Sequence, residues 1–92
     1  MNENLFRQLL RDKGFEAPLV KDYEPHADGD LHTHAFDVLL LVQQGPFTLA
    51  TEKGVTTFQA GEMCALDAGV RHIERTGSGG ARVLLGKRHC AS

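Results

Sequence analysis

The sequence predicts an all-β barrel preceded by one short helix. Helical periodicity stops at Gly14, and the rest of the chain breaks into short segments rich in Val, Leu, Thr and Phe, punctuated by glycine or acidic turns. Many short strands at regular spacing argue for a sandwich or barrel rather than for alternating βα units. Residues 38–42 are apolar at every position, so one face of that strand lines the barrel and the other must also be covered.

In chain order, Asn4 is placed to cap a helix whose stripe is Leu5, Phe6, Leu9 and Leu10. Gly14 stops it, and Phe15 suits the apolar contact that accompanies a glycine-ended helix. Strands are expected at 19–23, 31–36, 38–43, 47–51, 55–59, 63–66, 71–74 and 82–86. Glu52-Lys53-Gly54 reads as a hairpin turn, with Gly54 supplying the positive φ. The expected organisation is one domain over residues 1–92: a helical segment 1–15, a barrel 16–88 and a tail 89–92. Phe36, Leu40, Val42, Phe47, Phe58, Leu66 and Leu84 are the expected barrel lining, Phe36 lying nearest the open end. The second face of 38–42 is to be covered by the helix or by another subunit. Because 92 residues bury only a modest core, a homodimer is the expected assembly.

A formal net charge of −2 gives neither a basic stripe for nucleic acid nor a polybasic membrane anchor. No apolar run approaches the roughly 20 residues of a membrane span. The mixed-charge start is unlike a secretory signal, so a cytoplasmic protein is expected. Two cysteines, Cys64 and Cys90, are too few for a disulfide framework. Cys64 reads as a small buried hydrophobe or, alternatively, a reactive thiol or metal neighbour; Cys90 reads as a tail thiol.

Five histidines are many for this length. His32 and His34 are two apart on an expected strand, so both side chains share a face. His72 follows the turn Asp67-Ala68-Gly69-Val70. Neutral imidazole offers a lone pair without costly deprotonation, and three convergent imidazoles leave positions open for substrate, as catalytic sites do. His32, His34 and His72 are the candidate ligands of one divalent metal. Iron, zinc, nickel and manganese are the candidates, since imidazole alone does not choose among metals. Glu74, two residues after His72 and on the same face, is a candidate fourth ligand, a general acid/base or a rim residue in an ordinary salt bridge.

The stretch from Gly29 to Thr76 resembles the cupin superfamily at both of its motifs. His32-Thr33-His34 and Gly45 match the first; Gly61, Asp67-Ala68-Gly69, His72 and Thr76 fall at the spacing of the second. The resemblance implies a double-stranded β-helix, or jelly-roll barrel, like that of small single-domain microbial cupins. It also implies a metal held by the three histidines.

Four positions depart from the motifs. His26 stands at the leading glycine, with Gly29 close by; Val38 stands where the first motif has its glutamate; Asp67 replaces a proline and Thr76 an asparagine. Valine cannot bind metal, which leaves a three-histidine set similar to that of cupins performing thiol or diketone dioxygenation. Asp37 restores a carboxylate only if its strand bulges. Arg82 could reach a substrate carboxylate or lie at the surface, whereas Arg71, His26 and His89 read as exposed.

Three functions follow as expectations. One is a metal-dependent enzyme, such as a dioxygenase, acting on a small organic acid, thiol or diketone, with Glu74 or a bound water moving protons. Another is a non-catalytic module that binds or senses a small ligand, and the third is a structural or interaction domain with an inert barrel. The fold by itself does not choose among them.

Overall fold

A computed structural model describes residues 1–89; Cys90, and with it the expected tail beyond His89, lies outside the described residues. The helix α1 spans Glu3–Asp12. Its cap is Asn2 rather than Asn4: the Asn2 side chain accepts from the Leu5 amide at 2.8 Å. That start places Glu3 in the first turn, where a negative charge favours the helix dipole. At the other end, the Phe15 amide reaches the Leu10 carbonyl and the Gly14 amide reaches that of Arg11. Gly14 has a φ of 76°, and this paired bonding is the usual way a left-handed glycine closes a helix.

Seven strands follow: β1 Leu19–Tyr23, β2 Phe36–Gln44, β3 Phe47–Thr51, β4 Gly54–Phe58, β5 Met63–Leu66, β6 His72–Thr76 and β7 Ala81–His89. They form two antiparallel sheets, ordered β1-β7-β2-β5 and β4-β3-β6. Neighbours in the first sheet are distant in sequence, which is the crossover pattern of a jelly roll. The expected strand over residues 31–36 does not form as a unit. His32 makes an isolated bridge to His72, and Phe36 already belongs to β2. At the chain's end, β7 continues through His89, one residue past the expected barrel boundary.

Alternation along β2 splits its apolar run between two cores. Val38, Leu40 and Val42 turn inward to meet Phe47 and Leu49 of β3, Cys64 and Leu66 of β5, and Val83 and Leu85 of β7. Leu39 and Leu41 turn outward and meet Phe6 and Leu10 of α1. The helix therefore covers the second face, and that face gives no reason to require another subunit. Leu84 belongs with the helix, not with the barrel lining, because Val83 and Leu85 take the inward parity of β7. Gly86 lets α1 sit close: a Cβ there would lie 2.7 Å from a Leu10 methyl.

Candidate metal centre

Two backbone elements bring the site together. The segment before β2 runs antiparallel along β6, tied by the reciprocal His32–His72 backbone pair at 3.1 and 3.0 Å. Further along, Gly29 donates to the Glu74 carbonyl and Thr76 to that of Ala27. The Thr76 hydroxyl donates to the Glu24 carbonyl at 2.6 Å and accepts from the Ala27 amide at 2.9 Å. A threonine in the asparagine's place thus pins this segment to β6.

His32, His34, His72 and Glu74 converge, each offering a ligand atom, and all of these atoms lie within 4.8 Å of one another. Donors about 2.1 Å from a common ion sit at most about 4.2 Å apart, so small side-chain movements close the shell. Glu74 brings in from β6 the carboxylate that Val38 cannot supply from β2; Val38 is buried in the core.

Hydrogen bonds behind the rings fix which nitrogen is free. His32 Nδ1 is 2.8 Å from the Asp30 carbonyl and His72 Nδ1 is 2.9 Å from that of Val70. A carbonyl only accepts, so each Nδ1 carries the hydrogen and each Nε2 of the neutral ring presents a lone pair. Metal-binding histidines are held in this manner. The two Nε2 atoms lie 3.7 Å and 3.3 Å from Oε1 of Glu74. His72 is fully buried, and its Nε2 has no hydrogen-bond partner among the described residues. Lone pairs facing a carboxylate repel unless a cation or a proton sits between them. Burial, and after it the electrostatic influence of His72 and then His32, holds the pKa of His34 below the ordinary imidazole value. That favours the neutral, ligating form at neutral pH. The donor set fits a divalent metal.

Asp37 is not part of this cluster. No bulge re-aims it; the irregularity in β2 comes later, between Val42 and Gln44. Its Oδ1 accepts from the Ala68 amide at 2.8 Å and its Oδ2 pairs with Arg88 at 2.9 Å. The Ala68 amide and the Arg88 guanidinium hold its carboxyl below the usual range. The role this gives Asp37 is to anchor the 67–70 turn, whose Gly69 amide holds the His34 carbonyl at 2.9 Å. Arg82 also points elsewhere, pairing with Asp22 at 2.6 Å on the outer face. His26 is exposed, as is His89, which pairs with Glu16 at 3.2 Å.

Beside the cluster, a cavity of about 260 Å³ opens among apolar walls, and His34 and Glu74 face into it. Phe36 lines it and stacks on His34, with centroids 4.8 Å apart. Tyr23 lines it too and packs on Phe47; burial, with the neighbouring Glu74 charge adding to it, pushes its phenol pKa up. Sequence reasoning missed Tyr23, Lys21 and Lys87 as lining residues. The signal was the two-residue period of β1 and β7, readable only once the inward face was known.

No protein-family model matches the chain, and no curated protein sequence does either. Solved structures do match. A cupin-2 domain protein from Shewanella frigidimarina aligns with a TM-score of 0.67 at 23% identity, over 78% of this chain and 69% of that one. An RmlC-like cupin from the same organism aligns with a TM-score of 0.66 at 18% identity, over 77% and 64%. The chain has the cupin fold. A structure described as one of the DMSP lyases RdDddP and RnDddQII gives a TM-score of 0.72 at 19% identity, over 79% of this chain and 38% of that one. At such identities the likeness concerns the fold of this cupin-like chain and leaves its chemistry to its own residues.

Proposed function

We propose that this cupin-fold chain is a metal-dependent enzyme that acts on a small organic molecule. One divalent ion is held by His32, His34, His72 and Glu74. The observation that carries the reading is the pair of Nε2 lone pairs, on His32 and His72, aimed at the Glu74 carboxylate. A bound ion there supplies Lewis acidity and open positions for substrate.

The remaining work falls to the chain's own side chains. The apolar walls, with Phe36 beside His34, receive the substrate body and exclude water, which strengthens the electrostatics inside. Glu74 faces the same cavity and is placed to take up or deliver a proton at its carboxylate oxygens. The phenol of Tyr23, next to Glu74, keeps its proton at neutral pH and steadies that carboxylate. A fold that also carries lyases is compatible with such chemistry. Dioxygenation is the first reaction class to test, because three imidazoles dominate the ligand set. The assembly we propose is a homodimer, in which a second copy adds buried surface to the modest core of 92 residues.

Elemental analysis of protein grown with iron, zinc, nickel and manganese tests the reading. About one equivalent per chain is expected, falling severalfold in His32→Ala and His34→Ala. No bound metal, with no thermal shift on adding any of the four ions, overturns it. Oxygen uptake on a panel of small organic substrates identifies dioxygenation, whereas ligand-dependent thermal shifts with no turnover assign a non-catalytic binding module instead. Ultracentrifugation showing monomer alone at micromolar concentration removes the dimer.

A further inference from the structure

The cavity mouth carries two cations that metal binding does not use. The parity of β1 that sends Tyr23 inward also sends Lys21 there, and the parity of β7 that sends Val83 and Leu85 inward also sends Lys87 there. Both lysines line the cavity. Each lies over an aromatic ring of its wall: Lys21 Nζ is 4.8 Å from the Tyr23 centroid and Lys87 Nζ is 4.8 Å from that of Phe36. The two therefore flank the opening, one on the Tyr23 side and one on the Phe36 side.

What sets the two lysines apart is their place at the cavity: Arg11, Lys13, Lys53 and Arg71 are also without a carboxylate partner among the described residues, but none of them lines it. Arg75, Arg82 and Arg88 are each paired with an aspartate. Among the described residues, neither Lys21 nor Lys87 has a carboxylate within 4.0 Å. An inward lysine on an edge strand also guards that edge against pairing, and β1 is an edge. That explanation fails for Lys87, because β7 is paired on both sides. Among the described residues Glu74 is the one acidic residue lining the cavity, so the lysines leave an excess of positive charge over apolar walls.

We propose that the cavity takes a small organic acid, its carboxylate met by the lysines at the rim and its apolar body lying against Phe36, Leu40 and Phe47. This rests on the cavity being the substrate site of the enzyme proposed above. The lysine stems run along the walls while their heads stay at the opening, which suits capture of an ionised group from water.

The test pairs short monocarboxylates, propionate through isocaproate, with their own amides, which keep the shape and remove the charge. Calorimetric titration is run at pH 7.5 on zinc-loaded and on chelator-treated protein. At least one acid is expected to bind about tenfold more tightly than its amide, with the preference shrinking as salt rises. Lys21→Met and Lys87→Met weaken acid binding and leave amide binding unchanged, and the double variant abolishes the preference. If every acid binds no better than its amide, or the double variant retains the preference, the proposal is overturned. The two arms separate the two ideas. A lysine-dependent preference in protein that takes up no metal removes the metal enzyme alone, and loaded protein without that preference removes only the organic acid.

Discussion

Nε2 of His72, wholly buried and without a hydrogen-bond partner among the described residues, faces Oε1 of Glu74 across 3.3 Å. With the ring's other nitrogen committed to the Val70 carbonyl, two acceptors oppose each other. Such an arrangement is costly unless a cation or a proton fills it, and Glu74→Gln tells these apart. The amide can donate to the free Nε2, so in chelator at pH 8 the variant should be more stable than the parent by about 1–3 kcal/mol. Its zinc affinity should fall about tenfold or more. Thermal denaturation with and without zinc reads both effects. A variant less stable in chelator would mean that a proton, not an open coordination position, joins the pair.

Asp37 acts on the site from outside it. Its carboxylate holds the Ala68 amide and Arg88, and so fixes the turn that supports His34 and precedes His72. Asp37→Ala should lower the melting temperature by a few degrees and weaken zinc binding severalfold, although Asp37 lies outside the ligand cluster. Its folded pKa is depressed, so its contribution is fully present above the ordinary aspartate value and is lost as pH falls through the lower folded value. The melting temperatures of parent and variant should therefore differ at pH 6, and the difference should shrink as pH falls below the ordinary aspartate value. A constant difference across that range would sever Asp37 from the turn.

The parts legible in sequence were those with local causes. Strands β1, β3 and β5 have the expected bounds, and glycine or an acidic turn residue helps end them. Both histidine motifs carried their spacing openly. What was hidden depended on non-local register. Residues 31–36 look like a strand, yet only His32 pairs there, because this segment is fastened to β6 by scattered bonds that its own composition does not reveal. Leu84 looks like barrel lining until the parity of β7 is known. Asn2 and Asn4 are equally capable caps, and what separates them is the placement of Phe6 and Leu10 against Leu39, Leu41 and Leu84.

That helix contact yields the next prediction. Phe6 is fully buried and Leu10 nearly so, and together they are the helix's hold on the sheet. Phe6→Ala should cost about 3–5 kcal/mol, a large share of what a small domain has. Gly86→Val, which forces a side chain against Leu10 and the Glu16 carbonyl, should destabilise by about 1–3 kcal/mol. Urea denaturation measures both. If either change is neutral, the helix does not seal this face, and a second copy becomes the better cover.

Cys64 lies inside the barrel at the wall of the same cavity, opposite Leu40 in the register of β2 and β5. Burial, with the Glu74 charge adding to it, pushes its thiol up to about 11. The reactive species is the thiolate, which is then scarce at neutral pH. In a Cys90→Ser background, where Cys64 is the remaining cysteine, a thiol reagent at pH 8 should label the native protein slowly and the denatured protein at once. Rapid labelling of the native protein would return Cys64 to the list of reactive groups and place solvent deeper in the barrel than the apolar walls suggest.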